Sequence, residues 1–268
     1  MWHGDIKMDR NRIDKIAQTP EDRLLLAKIW DKIHAGITRN IPVSTPFLSL
    51  RELELGRYLL GQQDGLYAFG GYETAERKML VYLPDYLSEE YLYSSDSPIV
   101  CLRAAFYEGD SPGHRDFLGA LMGAGIARET VGDICIGNGS CDFFVTAEIA
   151  QYLLQNLSSA GRTKLKLTAV PIASAQIPEP EVAEIRDTVS SLRLDSILAA
   201  GFRMGRASAS QQILSGKAAI DGLPCEKPDK PVAEGAVITL RGSGKIKLQT
   251  VHGQTKKGRL SVTIHRYL

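Results

Sequence analysis

Apolar positions recur first at helical spacing and then at strand spacing along this chain. Between residues 10 and 40, Leu25, Ile29 and Ile33 repeat every four residues with Leu26 and Trp30 beside them, which predicts a helix with one apolar face. Thr19-Pro20-Glu21-Asp22 supplies its start: a cap residue, a proline at the first position and acids in the first turn. A second short helix is predicted over residues 48–60. Strands are predicted over 66–71 and 78–83, with a turn and a charged segment at 70–77 between them. These elements make a small α+β domain, residues 1–95.

The middle third alternates strand and helix more regularly. A strand is predicted at 99–107, then a helix at 114–125 with Phe117, Leu118, Leu121 and Met122 on one stripe. Strands at 132–136 and 141–145 flank Asn138-Gly139, the strongest short-range hairpin signal. A helix over 147–157 buries Ile149, Leu153 and Leu157, and 164–170 alternates Leu165, Leu167 and Ala169 against Lys164, Lys166 and Thr168. The order β-α-β-β-α-β is the ferredoxin-like plan of residues 96–172, shared by RNA-recognition motifs and many unrelated domains. Phe106, Tyr107, Phe143 and Phe144 lie on these strands, where neighbours point to opposite faces, so one of each pair must face a core. An RNA-recognition motif carries a basic-Gly-aromatic pattern on its third strand. Here that strand reads Ser140-Cys141-Asp142-Phe143-Phe144-Val145, with Asp142 of the wrong sign, so core packing is the expectation.

Pro171, Pro178 and Pro180 mark an extended tether, with residues 173–187 as the linker. The last domain, 188–268, opens with Thr188 and Ser190 before a helix that carries Arg193, Leu194, Ile197, Leu198 and Gly201. Gly205 breaks it, and a second helix covers 206–215. Strands follow at 218–220, 237–240, 245–251 and 259–266. Asp221-Gly222 forms a turn after the first, and the basic loop 253–258 joins the last two.

With 268 residues, 44% apolar, two or three small domains are expected and no membrane span. The first ten residues lack the apolar core of a secretory signal. Four cysteines with no C-x-x-C pair suit a reducing cytoplasm, with the thiols packed as small hydrophobes. The net charge of +1 hides a split. Residues 181–268 hold 14 Lys and Arg against 8 Asp and Glu, while residues 1–180 hold 18 against 23. A basic half joined to an acidic one suggests a polyanion-binding module.

Catalytic signatures are sparse. The five histidines have no metal-ligand spacing, and neither a G-x-S-x-G elbow nor a Walker loop occurs, so no metal and no cofactor is expected. His114-Arg115-Asp116 opens a helix, where contiguous residues do not face one another. A cap for His114, or RNA or partner contacts for His114 and Arg115, fits better than catalysis. Tyr72 and Arg77 are further candidate contacts, although Glu73 and Arg77 at i, i+4 have the spacing of a surface ion pair. The basic module is the strongest signal. Arg193, Arg203 and Arg206 sit on or beside its helices with Ser208 and Gln212, and Lys217, Arg241, Lys245, Lys247, Lys256, Lys257 and Arg259 cluster on the strands and loop. Together they are expected to form one phosphate-reading surface. Few aromatics accompany them, which favours shape and backbone recognition of folded RNA over stacking on single strands. An ion pair from Arg193 to Asp195 or Asp187 is the structural alternative.

Residues 188–250 resemble the S4 RNA-binding domain. The likeness rests on Ser191-Leu192-Arg193-Leu194-Asp195, Gly205-Arg206-Ala207-Ser208, Ile213-Leu214-Ser215-Gly216-Lys217-Ala218, Ile220-Asp221-Gly222 and the stretch from Glu234-Gly235 to Gly242. Gly205 and Asp221 stand where that family usually has Ser and Asn. The likeness extends further. Gly70-Gly71-Tyr72-Glu73-Thr74-Ala75-Glu76-Arg77, the segment His114-Arg115-Asp116-Phe117-Leu118-Gly119-Ala120-Leu121-Met122, Gly132-Asp133-Ile134 and Thr255-Lys256-Lys257-Gly258-Arg259 are similar to the YlmH family. The match spans nearly all of residues 10–268.

That resemblance implies a bacterial, cytoplasmic, non-catalytic factor in ribosome-associated quality control and translation. It would bind rRNA and tRNA on the large ribosomal subunit carrying peptidyl-tRNA, with Arg193 and Arg206 as the leading RNA contacts, and a monomer is expected. A related branch is associated with photosystem II. The other reading is an RNA-modifying enzyme of the pseudouridine synthase or methyltransferase type, since S4 domains are often appended to such enzymes. Arg193-Leu194-Asp195 superficially resembles a synthase motif but falls within the predicted helix. On the binding reading Asp195→Asn is tolerated and Arg193→Ala is not. On the enzyme reading Asp195→Asn abolishes activity with RNA affinity intact.

Overall fold

The computed structural model describes residues 10–255 and 258–268. The fold is α+β and divides into two compact units between Pro178 and Glu179. Among the described residues no helix is long and apolar enough to cross a membrane.

The first unit begins with α1 (Arg10–Ile16) and α2 (Pro20–Arg39). The Thr19 hydroxyl accepts from the Asp22 N–H at 3.1 Å, Pro20 opens α2, and Asn40 closes it in the left-handed region at φ 52°. The buried stripe runs through Leu26, Ile29, Trp30 and Ile33, with Leu25 half-buried. Asp22 is buried in the same stripe and takes a bidentate pair from Arg51 at 2.6 and 2.7 Å. That pair ties α2 to α3 (Leu50–Leu60), whose own start is a capping box between Ser49 and Glu52. Strands β1 (Val43–Ser44), β2 (Leu66–Phe69) and β3 (Met79–Tyr82) form an antiparallel sheet in the order β1-β3-β2.

The middle of the chain follows the ferredoxin-like plan. Its elements are β4 (Ile99–Ala105), α4 (His114–Gly123), β5 (Val131–Ile136), β6 (Ser140–Thr146), α5 (Ala147–Asn156), a small hairpin of β7 (Ser159–Ala160) and β8 (Thr163–Lys164), and β9 (Lys166–Val170). The sheet order is β5-β6-β4-β9, antiparallel throughout. Helices α4 and α5 cover one face through Phe117, Leu121, Ala150 and Leu153 against Leu102, Phe143 and Val145. The other face is also covered. Cys101, Cys135 and Phe144 pack there against Phe47, Phe69, Met79, Leu83, Leu92 and Ile172, so residues 47–92 and the central sheet share a core. Burial pushes the Cys101 and Cys135 thiols up to about 12 and about 11, and they pack as neutral side chains.

The second unit carries β10 (Val182–Val189), α6 (Leu194–Gly201), α7 (Arg206–Leu214), β11 (Ala218–Ile220), β12 (Leu223–Pro224), β13 (Val237–Leu240), β14 (Gly244–Gln254) and β15 (Leu260–Tyr267). They build a six-stranded antiparallel sheet, β10-β15-β14-β13-β11-β12. Strand β10 begins inside the stretch expected as a tether. Eight residues pair with β15 from Val182↔Tyr267 to Val189↔Leu260, because Ile185 and Val189, on one face of the strand, have a core to enter. Helices α6 and α7 pack on one face over Ile238, Leu240, Ile246, Leu248, Val262 and Ile264. The turn between β11 and β12 has Asp221 at φ 49° and Gly222 at φ 78°, the two positive values of a tight hairpin.

Candidate nucleic-acid interface

Two arginines of the second unit converge on one buried carboxylate. Asp195, in the first turn of α6, is 3% exposed. Arg193 donates to it from Nε at 3.3 Å and Nη2 at 3.2 Å. Arg206, at the start of α7, donates from Nε at 3.0 Å and Nη2 at 3.3 Å, and the Ser196 hydroxyl adds a bond at 3.3 Å. Burial alone would raise the Asp195 pKa, but the hydrogen bonds and charges of Arg206 and Arg193 outweigh it and hold the carboxyl below its usual range. Each guanidinium has five N–H donors and uses two on Asp195. With their side chains 41% and 49% exposed, both arginines keep donors for a ligand. The cluster is a fixed fork of two cations over one anion, suited to phosphate oxygens.

Arg193 is not inside the first helix, where the apolar spacing had put it. It is the residue before the helix, in extended conformation, and its backbone bridges to Pro231. The Leu194 and Asp195 N–H groups donate to the Lys230 and Pro228 carbonyls, so the 228–231 segment satisfies the helix start and α6 begins at Leu194. Arg203 follows α6 at φ 53°, exposed, with the Met204 N–H returning to the Ala199 carbonyl. On α7, exposed Ser208 and half-buried Gln212 lie one turn apart. Gly205 caps α7 without a side chain, and a Cβ there would touch nothing within 4 Å.

The other described basic residues of the unit sit on different elements from this fork. Lys217 and Arg241 are exposed neighbours, linked by the Arg241 N–H and the Lys217 carbonyl, beyond the C-terminal end of α7. Lys245 and Lys247 alternate on β14 with fully buried Ile246 and Leu248, which face the helices, so the two lysines lie on the opposite side of the sheet. The Lys245 ammonium stands 4.2 Å from the centre of the Tyr267 ring. Arg259 is engaged with Thr188, through the hydroxyl at 3.0 Å and the backbone carbonyl. Lys256 and Lys257 lie outside the described residues.

In the first unit, Tyr72 and Arg77 have packing roles. The Tyr72 hydroxyl donates to Asp133 at 2.8 Å, and the same carboxylate accepts the Glu76 and Arg77 N–H groups at 2.7 and 3.1 Å. The Arg77 guanidinium donates to the Val131 and Phe47 carbonyls at 3.0 and 2.9 Å. Burial lowers its pKa and raises that of the Tyr72 hydroxyl. Arg77 therefore does not form the i, i+4 ion pair with Glu73, whose carbonyl accepts instead from Lys78 Nζ. Gly71, at φ +95°, leaves no room for a Cβ, which would sit 2.3 Å from the Phe144 ring. The Gly70–Arg77 and Gly132–Ile134 motifs are thus two halves of one joint.

His114 is the first residue of α4 rather than its cap. Gly113 is the cap, and its N–H donates to Asp116 at 2.8 Å. His114 and Arg115 are exposed. Phe143 and Phe144 are both fully buried, one on each face of the sheet, and Asp142 is buried in a bidentate pair with Arg103 at 2.7 Å. Among the described residues no group of three or more His, Cys, Asp or Glu is gathered that could hold a metal ion.

Residues 111–174 match a family model described as "Putative RNA-binding domain in YlmH". The chain is 34% identical over 224 residues to "Ribosome-associated protein quality control protein P2" of Bacillus subtilis (strain 168), covering 83% of this chain and 86% of that protein. The solved structure of "Cell division protein ylmH from Streptococcus pneumoniae" aligns at 21% identity and a TM-score of 0.48, covering 60% of this chain and 98% of that one.

Proposed function

This chain belongs to the YlmH family, and from that premise we propose that it is a non-catalytic RNA-binding factor of ribosome-associated quality control. In this reading the second unit is an S4-type domain that docks on rRNA and tRNA of the large ribosomal subunit, in the cytoplasm. The observation that carries it is the fork of Arg193 and Arg206 over Asp195. Two guanidiniums, oriented by a buried carboxylate and open to solvent, suit the sugar–phosphate backbone of a folded RNA. The exposed Arg203 adds a third cation beside them.

A non-catalytic role is supported by the state of Asp195. Both of its oxygens are engaged by arginines, which is a poor setting for a nucleophile or general base. The relative's printed name supports the association with ribosomes.

The test is co-sedimentation with purified ribosomal subunits, with and without peptidyl-tRNA, for wild type and Arg193→Ala/Arg206→Ala. Selective binding to the large subunit, lost in the double variant, is expected. With about four to six phosphates neutralised, log affinity should fall with log salt at a slope of roughly −3 to −5. A wild type that binds neither subunit, or a flat salt response, refutes the reading.

A further inference from the structure

The domain matched over residues 111–174 has no open sheet face. Phe143 points to the helices and Phe144 to Phe47, Phe69 and Met79, both at 0% exposure. A ferredoxin-like sheet that reads RNA by stacking needs exposed aromatics on its free face. In this chain protein occupies that face, so any RNA contact from this part must come from helix ends, edges or loops.

The charges single out one such place. Residues 158–170 contain Arg162, Lys164 and Lys166, all exposed, and no acid. The β7–β8 hairpin turns at Gly161, at φ +57°, and seats this turn on the first turn of α4: a Cβ on Gly161 would lie 3.0 Å from Asp116 Oδ1. Arg162 is thereby brought beside the turn that carries exposed His114 and Arg115. Asp116, the acid of that turn, accepts the Gly113 N–H at Oδ2 and is outnumbered by the cations around it. Arg115, Arg162, Lys164 and Lys166 form no ion pair with other described residues. Between the helix and the hairpin runs a cleft of about 500 Å³, lined by Arg115, Asp116, Asn156, Ser158 and Ser159 together with small and apolar residues. Its guanidinium, hydroxyl and amide donors are of the kinds that contact phosphate and ribose.

We infer that the first turn of α4 and the 158–164 hairpin form a second RNA-contact surface, which holds the sugar–phosphate backbone through Arg115, Arg162 and Lys164. This inference rests on the RNA-binding reading above, but it concerns the first unit and different residues. Tyr72 and Arg77 take no part in it.

The experiment compares wild type, Arg115→Glu/Arg162→Glu, and Lys28→Glu/Lys32→Glu for binding to purified large ribosomal subunits across a salt series. The control pair is exposed on α2 and changes net charge equally. The first variant should bind at least tenfold more weakly, with a salt slope shallower by about two. Its melting temperature should be unchanged, and the control should stay within twofold of wild type. Equal losses in both variants would reduce the effect to net charge and overturn the inference. So would wild-type affinity in Arg115→Glu/Arg162→Glu while Arg193→Ala/Arg206→Ala fails, an outcome that leaves the function standing. No binding by wild type would remove both.

Discussion

Replacing Asp195 by Asn separates orientation from charge. The substitution keeps the size of a side chain that is 3% exposed and removes one negative charge beneath two arginines. If charge alone mattered, RNA would bind more tightly. Deleting an anion roughly 8 Å from a bound phosphate, in the high dielectric of a half-exposed site, favours binding by about 0.5 kcal/mol. If orientation matters, the two arginines lose their anchor, and binding must order two long side chains at about 0.5–1.5 kcal/mol each. The orientation effect is the larger, so affinity should fall by about 0.5–2.5 kcal/mol, roughly twofold to seventyfold. This replaces the tolerance to Asp195→Asn that the binding reading of the sequence implied. The unit should also lose about 1–2 kcal/mol of stability, a modest figure because both arginines are half-exposed. The assays are thermal melting and filter binding to large-subunit RNA at fixed salt. Unchanged or tighter binding by a folded Asp195→Asn protein would refute the orientation argument. Full affinity with loss of a chemical activity would revive the enzyme reading.

Three further outcomes follow from particular residues. Arg203→Gly should raise stability by about 0.5–1 kcal/mol, because φ 53° strains any residue with a Cβ, while RNA affinity falls; melting and binding measured on one sample would show the opposite signs. Asp22 has its pKa lowered from 3.8 to about 2, chiefly by the Arg51 hydrogen bonds, so it contributes about 2 kcal/mol that is present above pH 4 and lost as pH falls through 2. Acid unfolding of Asp22→Asn should therefore be flatter across that window, and an unchanged profile would count against the pair. Gly71→Ala should cost the first unit 2 kcal/mol or more (an order-of-magnitude figure for strain plus overpacking), because its methyl would meet the Phe144 ring; a melting temperature equal to wild type would contradict the joint.

Much of the architecture was legible because local rules acted alone. Thr19 and Pro20 start α2, Asn138-Gly139 turns β5 into β6, and Asp221-Gly222 turns β11 into β12, each by the chemistry of one or two residues. The β-α-β-β-α-β order needed only the change from period 3.6 to period 2. Phe143 and Phe144 were different. Alternation says that one faces each side of the sheet, but whether the second side meets solvent or protein depends on Phe47, Phe69 and Met79, roughly 65 to 100 residues upstream.

The candidate site divides along the same line. The residue types that could hold phosphate, and their concentration near the C-terminus, are properties of composition and stand in the chain whatever its fold. Which of them act together is a matter of long-range pairing. Arg193 and Arg206 meet because the 228–231 segment fixes the chain just before α6 and the start of α7 lies beside it, so both reach Asp195. Lys245 and Lys247 are turned from the helices because Ile246 and Leu248 take the core side of β14. Arg77 reads as a surface cation and is bound to four distant residues, Val131, Phe47, Arg128 and Asp133. Charge and capping chemistry are local and written in order along the chain. The direction a side chain faces is set by what the rest of the fold leaves for it to bury against.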